Sequence, residues 1–243
     1  MATPVACLYG ETVPADALAS YAAQYSMTSA PAGAAPNGQD KHNILLLSPA
    51  DMGKMPALVL QPYHAYVELI DGEEPGPLNT ETLEALAAGK LCFSFATNTI
   101  YQMDSANLIC EALSSRGVLS AMRRSDVELS LHESISNAVV HGNLNLASNM
   151  KGDFSNYAKF AQELQQRMSS PEAKRRVDVI CAWDHEFLDI TICDKGNGYD
   201  ESMLPANVDP FAPAGRGLAI MRSLTLAMNV THGGRVTTLR FLT

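Results

Sequence analysis

Two stretches near the end of this chain leave little choice of strand arrangement. "VDVICAW" and "FLDITIC" (177–183 and 187–193) are separated only by Asp184, His185 and Glu186, and "MNVTHGGRVTTLRFL" (228–242) turns back at Gly233 and Gly234. Connections this short make antiparallel hairpins, because parallel neighbours need a long crossover. Between the two patterns lie a loop with Pro205, Pro210 and Pro213 and then "GRGLAIMRSLTLAM", a helix preceded by glycines. Further helices are predicted over "DSANLICEALSSRG", which ends at Gly117, and over "LHESISNAVVHGN", which stops at Gly142 as a left-handed C-terminal position. Residues 153–169 place Phe154, Tyr157, Ala158, Ala161, Leu164 and Met168 at helical spacing, an amphipathic helix packed on the body. Adjacent hairpins with several helices predict an α/β fold, a two-layer α/β sandwich with helices on one face of a mostly antiparallel, mixed sheet.

The first 89 residues have a different rhythm. "VACLYG", "NILLLS", "ALVLQ" and "YVELI" read as strands, "ADALASYAAQY" as a helix, and "TETLEALAAG" as a short helix closed by Gly89. "SAPAGAAPNGQD" and "DGEEPGPLN" are turn-rich breaks. Residues 1–89 are therefore expected to form a small α/β regulatory or partner domain, resembling a cut-down response-regulator receiver without its clear acidic pocket, and residues 90–243 the larger domain.

Bulk properties narrow the function classes. The 243 residues are 47% hydrophobic and 18% charged, enough to bury a core. A net charge of −9 argues against direct binding to nucleic acid or to an anionic membrane. The opening "MATPVACLYGE" lacks the basic and apolar regions of a secretory signal, and no apolar run is long enough to span a bilayer. Cys7, Cys92, Cys110, Cys181 and Cys193 have neither CxxC nor zinc spacing, so reduced core thiols in a cytoplasmic protein are expected.

Three short segments carry the chemistry. In "LHESISNAVVHGN", Glu133, Asn137 and His141 recur every four residues and form one polar stripe between apolar neighbours. In "DKGNGYD", Asp194, Gly196 and Gly198 follow a strand directly, and in "AGRGLAIM", Gly215, Arg216, Gly217 and Leu218 open a helix. Singly, each has an ordinary explanation as a solvated carboxylate, a tight turn or a flexible helix start. Their order, on helix, strand end and helix start, resembles the GHKL ATPases and within them the anti-sigma-factor serine/threonine kinase branch, over residues 91–243. The resemblance implies a Bergerat-type ATP-binding fold and ATP with Mg²⁺ as cofactors. It makes Asn137 the Mg²⁺ ligand, Glu133 the general base for a protein hydroxyl, and Asp194 the acceptor of the adenine amino proton. Gly196 and Gly198 would let the base lie against backbone, and Gly215, Arg216, Gly217 and Leu218 would cover the phosphates. Thr238 matches the place where this family keeps a hydroxyl near adenine, and His141 is assigned either to nucleotide contact or to the helix end.

The chemistry agrees with those residue types. Mg²⁺ keeps several waters and needs few protein oxygens, a helix start after glycines presents N–H groups to phosphate, and phosphoryl transfer needs positioning and charge neutralisation above all. The expected function is a cytoplasmic kinase acting on a STAS-type anti-anti-sigma factor, with a sigma factor as a further partner in partner switching and homodimerisation in keeping with the family. The alternative is an ATP/ADP-binding interaction module that no longer transfers phosphate.

Overall fold

A computed structural model describes residues 6–31, 33–36, 42–71, 77–146, 154–198 and 216–243. Internal contacts divide the chain into two compact units, Met1–Phe95 with Ile180–Ala182, and Ala96–Val179 with Trp183–Thr243.

The first unit runs β1 (Ala6–Gly10), α1 (Ala15–Gln24), β2 (Thr28–Ser29), β3 (His42–Leu47), a 3₁₀ turn (Pro49–Lys54), α2 (Met55–Leu58), β4 (Ala65–Glu68), α3 (Thr80–Ala87) and β5 (Leu91–Ala96). The strands pair in parallel in the order β2-β1-β3-β4-β5, a doubly wound order. All residues of β3 and β5 are buried, the continuous run that a parallel strand covered on both faces requires. Leu8, Ile44, Leu46, Ala65 and Val67 form its core with Leu18 and Ala22 of α1. "ALVLQ" does not form the expected strand. Ala57 and Leu58 end α2 and the chain turns at Val59, with Met55 and Leu58 buried, because a Pro at the helix start and one apolar face suit a helical turn. At the carboxyl ends of β1 and β3 the Asp51 carboxylate is fully buried, where Oδ2 accepts from Thr12 Oγ1 at 2.8 Å and from the Ser48 amide at 3.0 Å. Ser48 and Asp51 form a reciprocal capping box at the start of the 3₁₀ turn.

The second unit comprises α4 (Thr97–Gln102), α5 (Ser105–Ser115), α6 (Arg124–Asn137), α7 (Phe154–Arg167), β6 (Arg176–Trp183), β7 (Phe187–Cys193), α8 (Arg216–Leu224), β8 (Ala227–Thr231) and β9 (Val236–Leu242). Strand order is β6-β7-β9-β8, and β9 pairs antiparallel with both of its neighbours. Along β9, Leu239 and Phe241 are buried while Arg240 and Leu242 are exposed, the alternation of a sheet with one face on the core. Opposite them, α6 buries Val127, Leu131 and Ile135 and packs against α5, α8 and β9. The two-layer α/β arrangement with a mixed sheet matches the expectation, and each strand predicted in the two hairpins is present.

Two local readings change. Gly142 does not end its helix in a left-handed conformation: after Asn137 the chain continues as a π-turn, Ala138–Asn143, with the Leu144 amide bonded to the Val139 carbonyl at 2.9 Å. The left-handed residue is Asn145, at φ 53°. In α7, Phe160 is buried while Ala158 and Ala161 are exposed, so the apolar stripe is rotated from the one predicted; the side chains of Phe154 and Tyr157 lie outside the described residues. All five cysteines are free, and burial above all pushes the Cys110 thiol up to about 12, which keeps it unreactive. Among the described residues, no helix is long and apolar enough to cross a membrane.

Candidate functional site

α6 holds two of the predicted residues. Glu133 and Asn137 are both half-buried and lie one turn apart, as the four-residue spacing requires. The apolar residues Val127, Leu131 and Ile135 anchor the helix on its other side, which leaves Glu133 facing α8. There Gly217, in the first turn of α8, lies against the Glu133 carboxylate: a β-carbon at residue 217 would meet Oε2, and the carboxylate would have to swing aside. The sequence separates these two residues by more than eighty positions, and the fold brings them into contact. Leu218 follows, half-buried, in the same turn. Gly215 and the side chain of Arg216 lie outside the described residues, although Arg216 is the first residue of α8. His141 does not continue the polar stripe as an α-helix would extend it. It lies in the π-turn, where its Nδ1 meets the Leu146 carbonyl at 2.6 Å, so this bond fixes the turn's exit.

The second cluster forms where β7 ends. The Asp194 amide bonds the Arg235 carbonyl at 3.0 Å, and Asp194 Oδ1 accepts the Gly196 N–H at 2.8 Å. That turn folds the carboxylate back over the chain, and among the described residues no donor is bonded to Oδ2. Asp194 is almost buried, and burial pushes its carboxyl up to about 6, against the Gly196 hydrogen bond and the Arg235 and Lys195 charges, which pull it down. It therefore stays ionised at neutral pH but titrates close to it. The π-turn backs directly onto this carboxylate: a β-carbon at Gly142 would lie 2.5 Å from Asp194 Cγ, and one at Gly196 would strike the Gly142 carbonyl. Gly198, at φ 72°, abuts the Gly233 carbonyl of the β8–β9 turn, so it needs both the left-handed backbone and the missing side chain.

One predicted residue is misplaced. Residues 191 and 238 are paired across β7 and β9, and their hydroxyls are 3.1 Å apart. Side chains alternate along a strand, so Thr238 shares a face with Thr191, Asp189 and Arg240, whereas Asp194 shares the other face with Ile192, Thr237 and Leu239. Thr237, half-buried, is the β9 hydroxyl on Asp194's side. The signal was in the sequence: in "VTTLRF" the inward residues are Leu239 and Phe241, and counting back by two gives Thr237. From sequence Gly142 is expected only as a helix end and Asn143 carries no signal, since both act through a turn 52 residues away.

The residues present suit a magnesium-bound nucleotide in kind. Among the described residues no three His, Cys, Asp or Glu side chains gather as a metal cage. The Asn137 amide, half-buried one turn along α6 from Glu133, offers a hard oxygen, enough for an ion that takes its remaining ligands from phosphate and water. No curated protein matches the chain. A half-buried carboxylate and amide lie on one helix, with the start of α8 against the carboxylate, and a buried aspartate turn lies at a strand end. Residues 96–242 match the histidine kinase-like ATPase domain, so the chain belongs to that family.

Proposed function

We propose that this protein is an ATP-dependent serine/threonine kinase of the anti-sigma-factor type, which phosphorylates a small STAS-type anti-anti-sigma partner and so controls which protein that partner binds. Family membership supports an ATP-binding regulatory role. The observation that carries the finer reading is the contact between Glu133 and Gly217. A carboxylate against the first turn of α8 supports a general base there, a group that binding alone does not call for.

In the proposed reaction Asp194 Oδ2 accepts the adenine amino group, Gly196 and Gly198 give the base room against the backbone, and the α8 N-terminus presents N–H groups to the phosphates. Asn137 would hold Mg²⁺, and the ion would supply charge neutralisation during phosphoryl transfer. Glu133 accepts the proton of the partner's Ser or Thr hydroxyl as its oxygen bonds the γ-phosphorus. The bond from that phosphorus to the β,γ-bridging oxygen breaks, and ADP departs. The partner gains about −1.5 to −2 charge at its binding surface, enough to reverse an interaction there. Residues 1–89, in this proposal, form a separate regulatory or partner-binding domain, and the protein works in the cytoplasm.

Glu133→Ala should retain ATP binding and lower phosphate transfer by about 10²- to 10⁴-fold, the usual worth of a general base, while Asn137→Ala should lose Mg²⁺-dependent ATP binding as well. Labelled ATP with co-purified partners measures both. Normal transfer by Glu133→Ala would refute the mechanism, and ATP binding without any labelled partner would favour a non-catalytic nucleotide-binding module.

A further inference from the structure

Asn143 ends the π-turn with no exposed surface, yet its amide is fully used. Nδ2 donates to Thr97 Oγ1 at 2.7 Å and to the Arg176 carbonyl at 3.0 Å, and Oδ1 accepts the Lys195 N–H at 2.7 Å. These partners fix which end of the amide is which. A peptide carbonyl can only accept and a peptide N–H can only donate, so the side chain at residue 143 must offer donors toward Thr97 and Arg176 and an acceptor toward Lys195. Asp lacks the donors, and Ser or Ala cannot bridge the span. The backbone of the same residue is tied too, since its carbonyl accepts Arg175 Nη1 at 3.0 Å. Thr97 in turn donates to the Arg175 carbonyl at 2.7 Å, which closes the network onto the start of β6.

What this network grips is the peptide directly after Asp194. The Lys195 N–H that Asn143 holds belongs to the peptide joining residues 194 and 195, and the neighbouring Gly142 touches the Asp194 carboxylate. The end of the nucleotide helix and the aspartate turn are thereby held at a fixed separation, which no strand pairing provides.

We infer that Asn143 is a positioning residue for base recognition: through the Lys195 amide it aims Asp194 Oδ2, so that the pocket distinguishes a purine carrying a 6-amino group from one lacking it. This rests on the proposal that Asp194 receives adenine. It assigns specificity to a residue that meets no nucleotide atom itself.

The test compares ATP with purine riboside 5′-triphosphate, which lacks the amino group, by calorimetry with Mg²⁺. Wild type should prefer ATP by about ten- to a hundredfold, the usual worth of a hydrogen bond to a carboxylate. Asn143→Ala should lose most of that preference, with ATP binding weakened and the analogue nearly unaffected. Thr97→Val, which removes one tie but leaves Asn143 bonded to Arg176 and Lys195, should lower Tm and keep the preference. An equal loss for both nucleotides in Asn143→Ala, or no loss for either, overturns the inference while ATP binding stands. Wild-type protein that binds neither nucleotide, or both alike, overturns the reading of Asp194 and this inference with it. Should Asn143→Ala fail to fold, amide exchange in wild type decides: a slowly exchanging Lys195 N–H upholds the tie, and rapid exchange refutes it.

Discussion

Asp194 has the energetics of a binding group kept at a cost to folding. Its folded-state value near 6 lies above that of a carboxylate in an unfolded chain, so on acidification the folded protein takes up this proton first. The penalty of burying the charge is fully present above pH 6 and is relieved as pH falls toward 4. The proposed recognition of an adenine amino group would run the other way, because only the ionised carboxylate accepts freely. ATP affinity should therefore fall as pH drops through about 6, and Asp194→Asn should flatten that profile, weaken ATP binding and raise Tm at pH 7. Calorimetry across pH 5–8 with thermal melts checks all three. Close packing makes a second demand here. Gly196→Ala drives a β-carbon into the Gly142 carbonyl, and overpacking of this kind costs about 1–3 kcal/mol. Denaturant titration should show that loss, together with loss of ATP binding. The one-turn spacing of Glu133 and Asn137 and the tight turn at Asp194–Gly196 are legible in the sequence, because each depends on residues close along the chain. Asn143 is not, for its three partners lie 46, 33 and 52 positions away.

At the level of elements, the periods did most of the work. Period-two alternation in β7 and β9 and the short loops before them predict the hairpins. The same alternation, followed inward from Leu239, selects Thr237 over Thr238. Thr237→Val should weaken ATP binding about three- to tenfold, the worth of one neutral hydrogen bond. Thr238→Val should leave it unchanged, since that hydroxyl faces Thr191 on the sheet's other side; equal effects from the two variants would mean that neither face reads the nucleotide. The π-turn after α6 was hidden from any period. A helix that widens between Ala138 and Asn143 keeps the composition of an α-helix, and only the need to bring Gly142 and Asn143 against the Asp194 turn selects the wider winding. "ALVLQ" failed for the opposite reason: a short apolar run suits a buried helical turn as well as a strand, and context chose the helix.

On the scale of the whole molecule, nucleotide binding and folding are linked. ATP at about a hundred times its Kd should add about 2.7 kcal/mol to the stability of whatever unfolds with the site. Hydrogen exchange should locate that protection in α6, the π-turn, the Asp194–Gly198 turn and α8. In the first unit Leu46 is fully buried within the parallel sheet's core, and Leu46→Ala should cost about 2–5 kcal/mol by denaturant melt. The sequence by itself determined the two antiparallel hairpins and most of the helices, because each depends on spacing within a dozen residues. Tertiary structure alone decided the parallel order of the first five strands, the contact of Glu133 with Gly217 and the grip of Asn143 on Lys195. Those depend on which distant surfaces exclude water from one another, and hydrophobic burial is too non-directional to be read from one segment at a time.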